Sequence, residues 1–147
     1  MQYLVIEKHS LDIIAPLWEK LKDHQRIRST HFRDHYANRT WAKRKNELLS
    51  AKRLHVVLAK DEKDAIIGYC VSTISGDNTG TIESIYIEPV YRKNKIGDSF
   101  MKMALDWMNE QRVNNKVLTV GVGNEEVLGF YSRWGFFPRT IKLEQLR

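Results

Sequence analysis

Cysteine is nearly absent from the chain: Cys70 stands alone among 147 residues. That excludes an internal disulfide and any cysteine-based metal cluster. Cys70 lies in the apolar run Ile66–Val71 with no base beside it, so it reads as a small core residue rather than a catalytic thiol. The five histidines form no HExxH and no paired Cys/His spacing. His31 and His35 could share a helix face, yet two ligands alone make a poor site, and no metal is expected. No apolar run approaches the roughly 20 residues needed to span a bilayer. The start, Met1 to Glu7, lacks the basic residues and long apolar stretch of a secretory leader, which sets a cytoplasmic expectation without a membrane partner. With only three prolines and eight glycines, and no linker, repeat or low-complexity tract, residues 1–147 read as one domain.

What the chain has is positive charge: 24 Lys and Arg against 18 Asp and Glu, a formal +6. Such a balance favours anionic partners, whether nucleic acid, a membrane surface or a phosphate-bearing cofactor, and spacing must choose among them. Tyr3 to Ile6 reads as a first strand. A helix follows, with Ser10 as N-cap and Ile14, Leu17, Trp18 and Leu21 at helical spacing; Pro16 makes its start ambiguous. Thr30 to Leu49 reads as a second helical region, with Thr40 capping its later part. Leu54–Ala59, Ala65–Ile74 and Thr81–Ile87 read as strands, separated by turns at Asp61–Asp64 and Gly76–Gly80. A helix from about Ile96 to Arg112 carries Phe100, Met103, Ala104, Trp107 and Met108 on one face. Lys116–Val122 is predicted as strand, Asn124–Trp134 as helix and Phe136 onward as strand. The expected fold is α+β, a mostly antiparallel mixed sheet of six or seven strands with helices on both faces, in α/β/α layers.

Three segments carry the chemistry: the strand Ile82–Ile87 with Glu88-Pro89, the turn Arg92-Lys93-Asn94-Lys95-Ile96-Gly97-Asp98, and Asn124 followed by Phe130-Tyr131 and Gly135-Phe136. The turn opens a helix, where unsatisfied N–H groups and the positive end of the macrodipole attract phosphate, and Arg92, Lys93 and Lys95 add charge. In this order the segments resemble the GNAT superfamily of N-acetyltransferases, well over residues 53–137 and loosely before. The family's turn usually has glycine at the positions of Lys95 and, in many members, Lys93. A lysine at 95 is expected to keep an ordinary φ and point its side chain outward.

The resemblance implies a splayed gap between the strands Thr81–Ile87 and Lys116–Val122. Acetyl-CoA would enter it, its pantetheine pairing with backbone groups of Ile85, Tyr86 and Ile87. Its pyrophosphate would lie on Arg92, Lys93, Asn94, Lys95, Ile96, Gly97 and Asp98, while Asn124 would contact the pantetheine arm and Tyr131 would also touch the cofactor. Tyr131 matches the tyrosine that protonates the departing thiolate. Glu83 matches the strand glutamate of spermidine/spermine acetyltransferases. It is expected to share a face with Ile85 and Ile87 and to assist removal of the amine's proton, which costs about 4.6 kcal/mol at pH 7 for a lysine-like amine. Trp18, Asp34, Tyr36, Trp41 and Glu88 are available for the acceptor site. Ser84 stands where the polyamine enzymes have a second acid, which makes a polyamine one option among small amines, amino acids, antibiotics and protein N-termini. A homodimer is common in such enzymes. Two rival readings remain: an acyl-CoA-binding regulatory domain without catalysis, and a nucleic-acid binder, against which the basic clusters are scattered and interleaved with acids.

Overall fold

The computed structural model describes all of Met1–Arg147. Five strands form one sheet in sequence order: β1 (Gln2–Ile6), β2 (Arg53–Lys60), β3 (Ile66–Ile74), β4 (Thr79–Ile87) and β5 (Asn115–Leu118). The first three pairings are antiparallel and the last is parallel. A parallel neighbour needs a crossover, which here is the helix Ile96–Glu110. The helices are α1 (Ala15–Arg28), α2 (Arg33–Ala37), α3 (Trp41–Leu49), α4 (Ile96–Glu110) and α5 (Leu128–Ser132).

The two sheet faces bury separate cores. On one, Leu11, Ile14, Leu17, Trp18 and Leu48 from the N-terminal helical region pack on Val56, Leu58, Tyr69, Val71 and Tyr86. On the other, Ile96, Phe100, Ala104 and Met108 repeat every four residues along α4 and cover Val57, Ala59, Cys70 and Ile82. Each such apolar side chain contributes about 1.5–3 kcal/mol on burial. Cys70 is buried as expected.

The α+β architecture with a mixed sheet matches expectation; the strand count and several boundaries do not. Pro16 sits in the first turn of α1, where its missing N–H costs nothing. The residues before it, Lys8–Ile14, form a 3-10 turn begun by Glu7 rather than a helix capped by Ser10. Thr40 does cap α3, its Oγ1 accepting from Lys43 N–H at 3.3 Å. The strand predicted over 116–122 stops at Leu118, and the helix predicted over 124–134 shrinks to a 3-10 turn, Glu125–Val127, and α5. No strand follows Phe136. The segment from Phe137 leaves Ile141 and Leu143 largely exposed, because alternating apolar residues without a neighbouring edge have nothing to pair with.

Candidate active site

The pairing of β4 with β5 covers only Thr79–Ile82 against Asn115–Leu118. From Ser84 to Ile87 β4 stays paired with β3 but has no neighbour on its other side. The parting point coincides with a register shift in which Ser72 faces Ile82 and Val71 faces Ser84, so Glu83 is the extra residue of a β-bulge. A bulge bends its strand and breaks the side-chain alternation. The gap expected from the sequence is therefore present, opened where β4 bends away.

Which backbone groups face that gap follows from strand geometry. Glu88 N–H donates to the Ile67 carbonyl of β3 at 2.8 Å. Alternation then turns the main-chain groups of Tyr86 to β3 as well, and those of Ile85 and Ile87 to the gap. Tyr86, expected among the pantetheine partners, is thus removed from that set. The Ile87 carbonyl already accepts from Arg92 Nε at 2.9 Å, and the same guanidinium covers the Tyr86 ring.

The bulge also corrects the placement of Glu83. Ile85 and Ile87 pack on the α4 side, whereas Glu83 reaches to the opposite face. There its Oε1 accepts from Arg44 Nη2 of α3 at 3.1 Å and its Oε2 from Thr73 Oγ1 at 2.6 Å. Arg44 also donates to the Glu83 carbonyl at 3.3 Å. Sequence periodicity failed here because one inserted residue reverses every later side chain. Ser84 is spent as well, sharing a 2.7 Å hydrogen bond with the buried Tyr69 hydroxyl.

β4 runs through the turn Pro89–Tyr91 into the basic loop. Lys93 and Lys95 have φ of 71° and 63°, in the left-handed region that glycine favours. The expectation of an ordinary φ at Lys95 is overturned: the loop keeps a glycine-like path with lysine at both places, at a cost of about 1–3 kcal/mol each. Lys95 offers no side-chain cap to α4. Ser99 N–H is bonded to the Lys95 carbonyl, which leaves the N–H groups of Ile96, Gly97 and Asp98 without an intrahelical acceptor. Arg92, Lys93, Asn94 and Lys95 are exposed around them. The Ile96 side chain is core, so that residue offers only its backbone. The Asp98 carboxylate is taken by Arg133 Nη2 and Trp134 Nε1, at 3.1 and 3.2 Å, and pins the end of α5 to the start of α4.

Gly97 has a different reason to be glycine. A Cβ there would lie 3.1 Å from Phe130 Cζ, so the missing side chain lets α5 settle against α4. That contact carries Tyr131, whose ring meets Phe130 edge-on and packs on the α4-side core. Burial pushes the Tyr131 hydroxyl up to about 12, and no hydrogen bond within the chain opposes it. Asn124 lies half-buried at the start of the turn before α5, its side chain unbonded.

The N-terminal helices reach the far arm of the gap. At Gly123, φ +102°, a Cβ would fall 2.2 Å from the Arg28 carbonyl at the end of α1. Arg28 and Glu126 pair at 2.6 Å across the same junction. The Tyr36 hydroxyl of α2 lies against Gly121. The other acceptor candidates are occupied or distant in role: Trp18 is core, the Trp41 indole donates to Asp12 at 2.8 Å, Glu88 pairs with Lys20 at 2.6 Å, and Asp34 is exposed. Sequence reasoning missed Arg44, since nothing in its spacing tells that α3 turns it to the bulge, and Arg39, which the link between α2 and α3 lays over Trp18.

Known proteins resemble this arrangement. The chain is 31% identical over 98 residues to a Bacillus subtilis (strain 168) protein described as a candidate [ribosomal protein bS18]-alanine N-acetyltransferase. That match covers 66% of this chain and 63% of the relative's length. The fold is shared with an aminoglycoside N-acetyltransferase, AAC(6')-Iy, solved in complex with CoA (TM-score 0.69, 15% identity, 99% of both chains). It is also shared with a tetramutant of the BH1408 protein from Bacillus halodurans (TM-score 0.73, 16% identity, 99% of both chains). The sequence pattern of the acetyltransferase (GNAT) family matches residues 18–136, and with the parted strands and the basic turn beside them this chain belongs to that family.

Proposed function

We propose that the protein transfers an acetyl group from acetyl-CoA to a primary amine, with the donor lying in the gap between β4 and β5. The observation that carries this reading is the coincidence of three unsatisfied sets at one place. They are the main-chain groups of Ile85 with the N–H of Ile87, the N–H groups of Ile96, Gly97 and Asp98, and the exposed cations Arg92, Lys93 and Lys95. A long ligand with an amide-bearing arm and a pyrophosphate matches the first two sets in order, and its charge matches the third. The CoA complex of the similarly folded aminoglycoside enzyme supports the same ligand. Acetyl-CoA supplies the activated thioester.

The chain's own groups then divide by sheet face. Ile85 and Ile87 hold the arm, and an Ile N–H aimed into the gap stabilises negative charge developing on a carbonyl oxygen there. Asn124, with a free side-chain amide, borders the same arm. On the α4 side, Tyr131 Oη keeps its proton well beyond neutral pH and can give it to a leaving thiolate. A phenol at about 12 would match an ordinary thiol near 8.5 poorly. A thiolate that develops in the gap out of bulk water is itself desolvated, which raises its pKa towards that of the phenol. On the opposite face, Glu83, oriented by Arg44 and Thr73, faces the side from which an amine approaches and draws its proton away. Acid and base thus stand on opposite sides of one bent strand.

The test is direct. Purified protein with acetyl-CoA and a panel of amines should release free CoA thiol, and acetyl-CoA should raise its melting temperature. Stabilisation without thiol release on any amine would favour a regulatory CoA-binding domain, and neither effect would refute the proposal.

A further inference from the structure

The gap has a second neighbour that the acetyl donor does not account for. Between α2 and α3 lies an open cavity of about 340 Å³ lined only by polar residues, His35, Arg39, Thr40, Lys43, Arg44 and Glu47 among them. Arg44 lines it and also holds Glu83 at the bulge, so the cavity neighbours the face of β4 to which Glu83 turns.

The charges in it do not balance. Arg44 is paired with Glu83 and with Glu47, the latter at 3.3 Å and half-exposed. Arg44 Nε is nevertheless buried with no partner. Arg39 makes no salt bridge at all: its guanidinium is half-buried and stacked over the Trp18 ring, 5.6 Å from the centroid. Burial, then repulsion from Arg44, pulls the Arg39 pKa below its ordinary value. Lys43 adds a third cation. Two guanidiniums and Lys43 line one cavity whose lining has a single acid, Glu47, and that acid is in a salt bridge with Arg44, so Arg39 has no ion-pair partner of its own. An anion placed in the cavity relieves that excess of positive charge, because the planar N–H fork of an unpaired arginine such as Arg39 grips carboxylate or phosphate oxygens.

We propose that this cavity recognises an anionic group on the acceptor, so that the substrate is an amine that also bears a carboxylate or phosphate. This rests on the reading of the gap as the donor's slot. The cavity holds the anion by Arg39 and Arg44, with Lys43 adding attraction, while the amine extends past Glu83 into the gap. Polycations are excluded by the same field. The resemblance to the polyamine enzymes at Glu83, and the fold shared with an aminoglycoside enzyme, therefore do not extend to the acceptor.

The experiment compares amines of one length and different charge: 4-aminobutyrate, 4-aminobutanamide and 1,4-diaminobutane, with O-phosphoethanolamine against ethanolamine as the phosphate arm. Thiol release with acetyl-CoA should give the anionic member of each set a kcat/KM about 10- to 100-fold above its neutral partner, the gain expected of a charged hydrogen bond. The diamine should be slowest. Whichever anionic arm shows the larger ratio identifies carboxylate or phosphate as the group read. Arg39→Gln should erase the preference and leave the KM for acetyl-CoA unchanged. Equal rates across a set, or a preference for the diamine, would overturn the proposal.

A second readout needs no turnover. Succinate and inorganic phosphate, added without CoA, should raise the melting temperature. Arg39→Gln should remove that part of the shift which Arg92→Gln leaves intact, and Lys43→Gln should weaken it less. An anion-dependent shift indifferent to both Arg39→Gln and Lys43→Gln would refute the site even if acetyl transfer is established. A shift that depends on Arg39 would uphold it even if no amine is acetylated.

Discussion

Positive charge gathers at two places beside the parted strands, and the two are built differently. At Arg92–Gly97 the donors are main-chain N–H groups at the start of a long helix, and the lysines ring them in solvent. At Arg39–Arg44 the donors are half-buried side chains that line one cavity, Arg39 lying over Trp18 and Arg44 bonded to Glu47 and Glu83. The first arrangement suits a ligand with many phosphate oxygens and tolerates screening by water. The second concentrates its charge in a drier cavity and suits one small anionic group. Glycines fix the arms around the gap: Gly97 lets α5 settle on α4 through Phe130, and Gly123 sits against the Arg28 carbonyl at the end of α1.

The contrast can be broken most severely at Gly123. A methyl there meets a backbone oxygen at 2.2 Å and φ is +102°. Gly123→Ala should therefore cost about 3 kcal/mol or more, read by denaturant unfolding. Its activity loss should fall first on the acceptor side, as a raised KM for the amine. Next in size is the catalytic acid. Tyr131→Phe should lower turnover about 100-fold with little change in acetyl-CoA affinity; unchanged turnover on a good substrate would remove Tyr131 from the role.

Tyr131 also predicts an alkaline effect. Its folded value near 12 lies above the ordinary 10, so the folded chain holds the proton more tightly. The stabilisation is whole below pH 10 and lost as pH rises to 12, about 3 kcal/mol in all. Urea unfolding at stepped alkaline pH should show this loss reduced in Tyr131→Phe.

Smaller effects separate the two regions further. Gly97→Ala presses a methyl towards Phe130 Cζ at 3.1 Å and should cost about 1–2 kcal/mol. It should weaken acetyl-CoA binding while leaving the anion preference of the acceptor untouched. Smallest is Lys95→Gly. Relief of the left-handed strain, less the entropy glycine loses on folding, should stabilise by about 0.5 kcal/mol. Melting curves and acetyl-CoA titration check it; destabilisation by more than the loss of one exposed charge would contradict the strain argument.

Two kinds of information decided what the sequence could reveal. Elements with a strong period were readable: the apolar run of β3 and the helix carrying Phe100, Ala104 and Met108 on one face lie close to their expected limits, though Ile96 and Met101 rather than Met103 and Trp107 complete its buried set. The turn at Arg92–Gly97 was readable because its donors are consecutive in the chain. Its lysines at positive φ were not, since glycine is the only letter that advertises that conformation. Glu83 was placed on the wrong face because its parity was taken from Ile85 and Ile87 alone; the three-residue step from Ile82 to Ile85, both on the α4 side, is the mark the bulge leaves in the sequence. The cavity at Arg39 and Arg44 was hidden for another reason: it is assembled by two short helices folding onto a strand some forty residues away. The last strands were expected from alternation in the C-terminal segment, and alternation cannot say whether an edge is there to pair with.

Amide hydrogen exchange at Ile85 and Ile87, followed by NMR with and without CoA, tests the parted strands most directly. The account predicts that both amides exchange quickly in the free protein, faster than Tyr86 between them, and that CoA slows both. Amides already protected without CoA, or left fast when CoA is bound elsewhere, would contradict it.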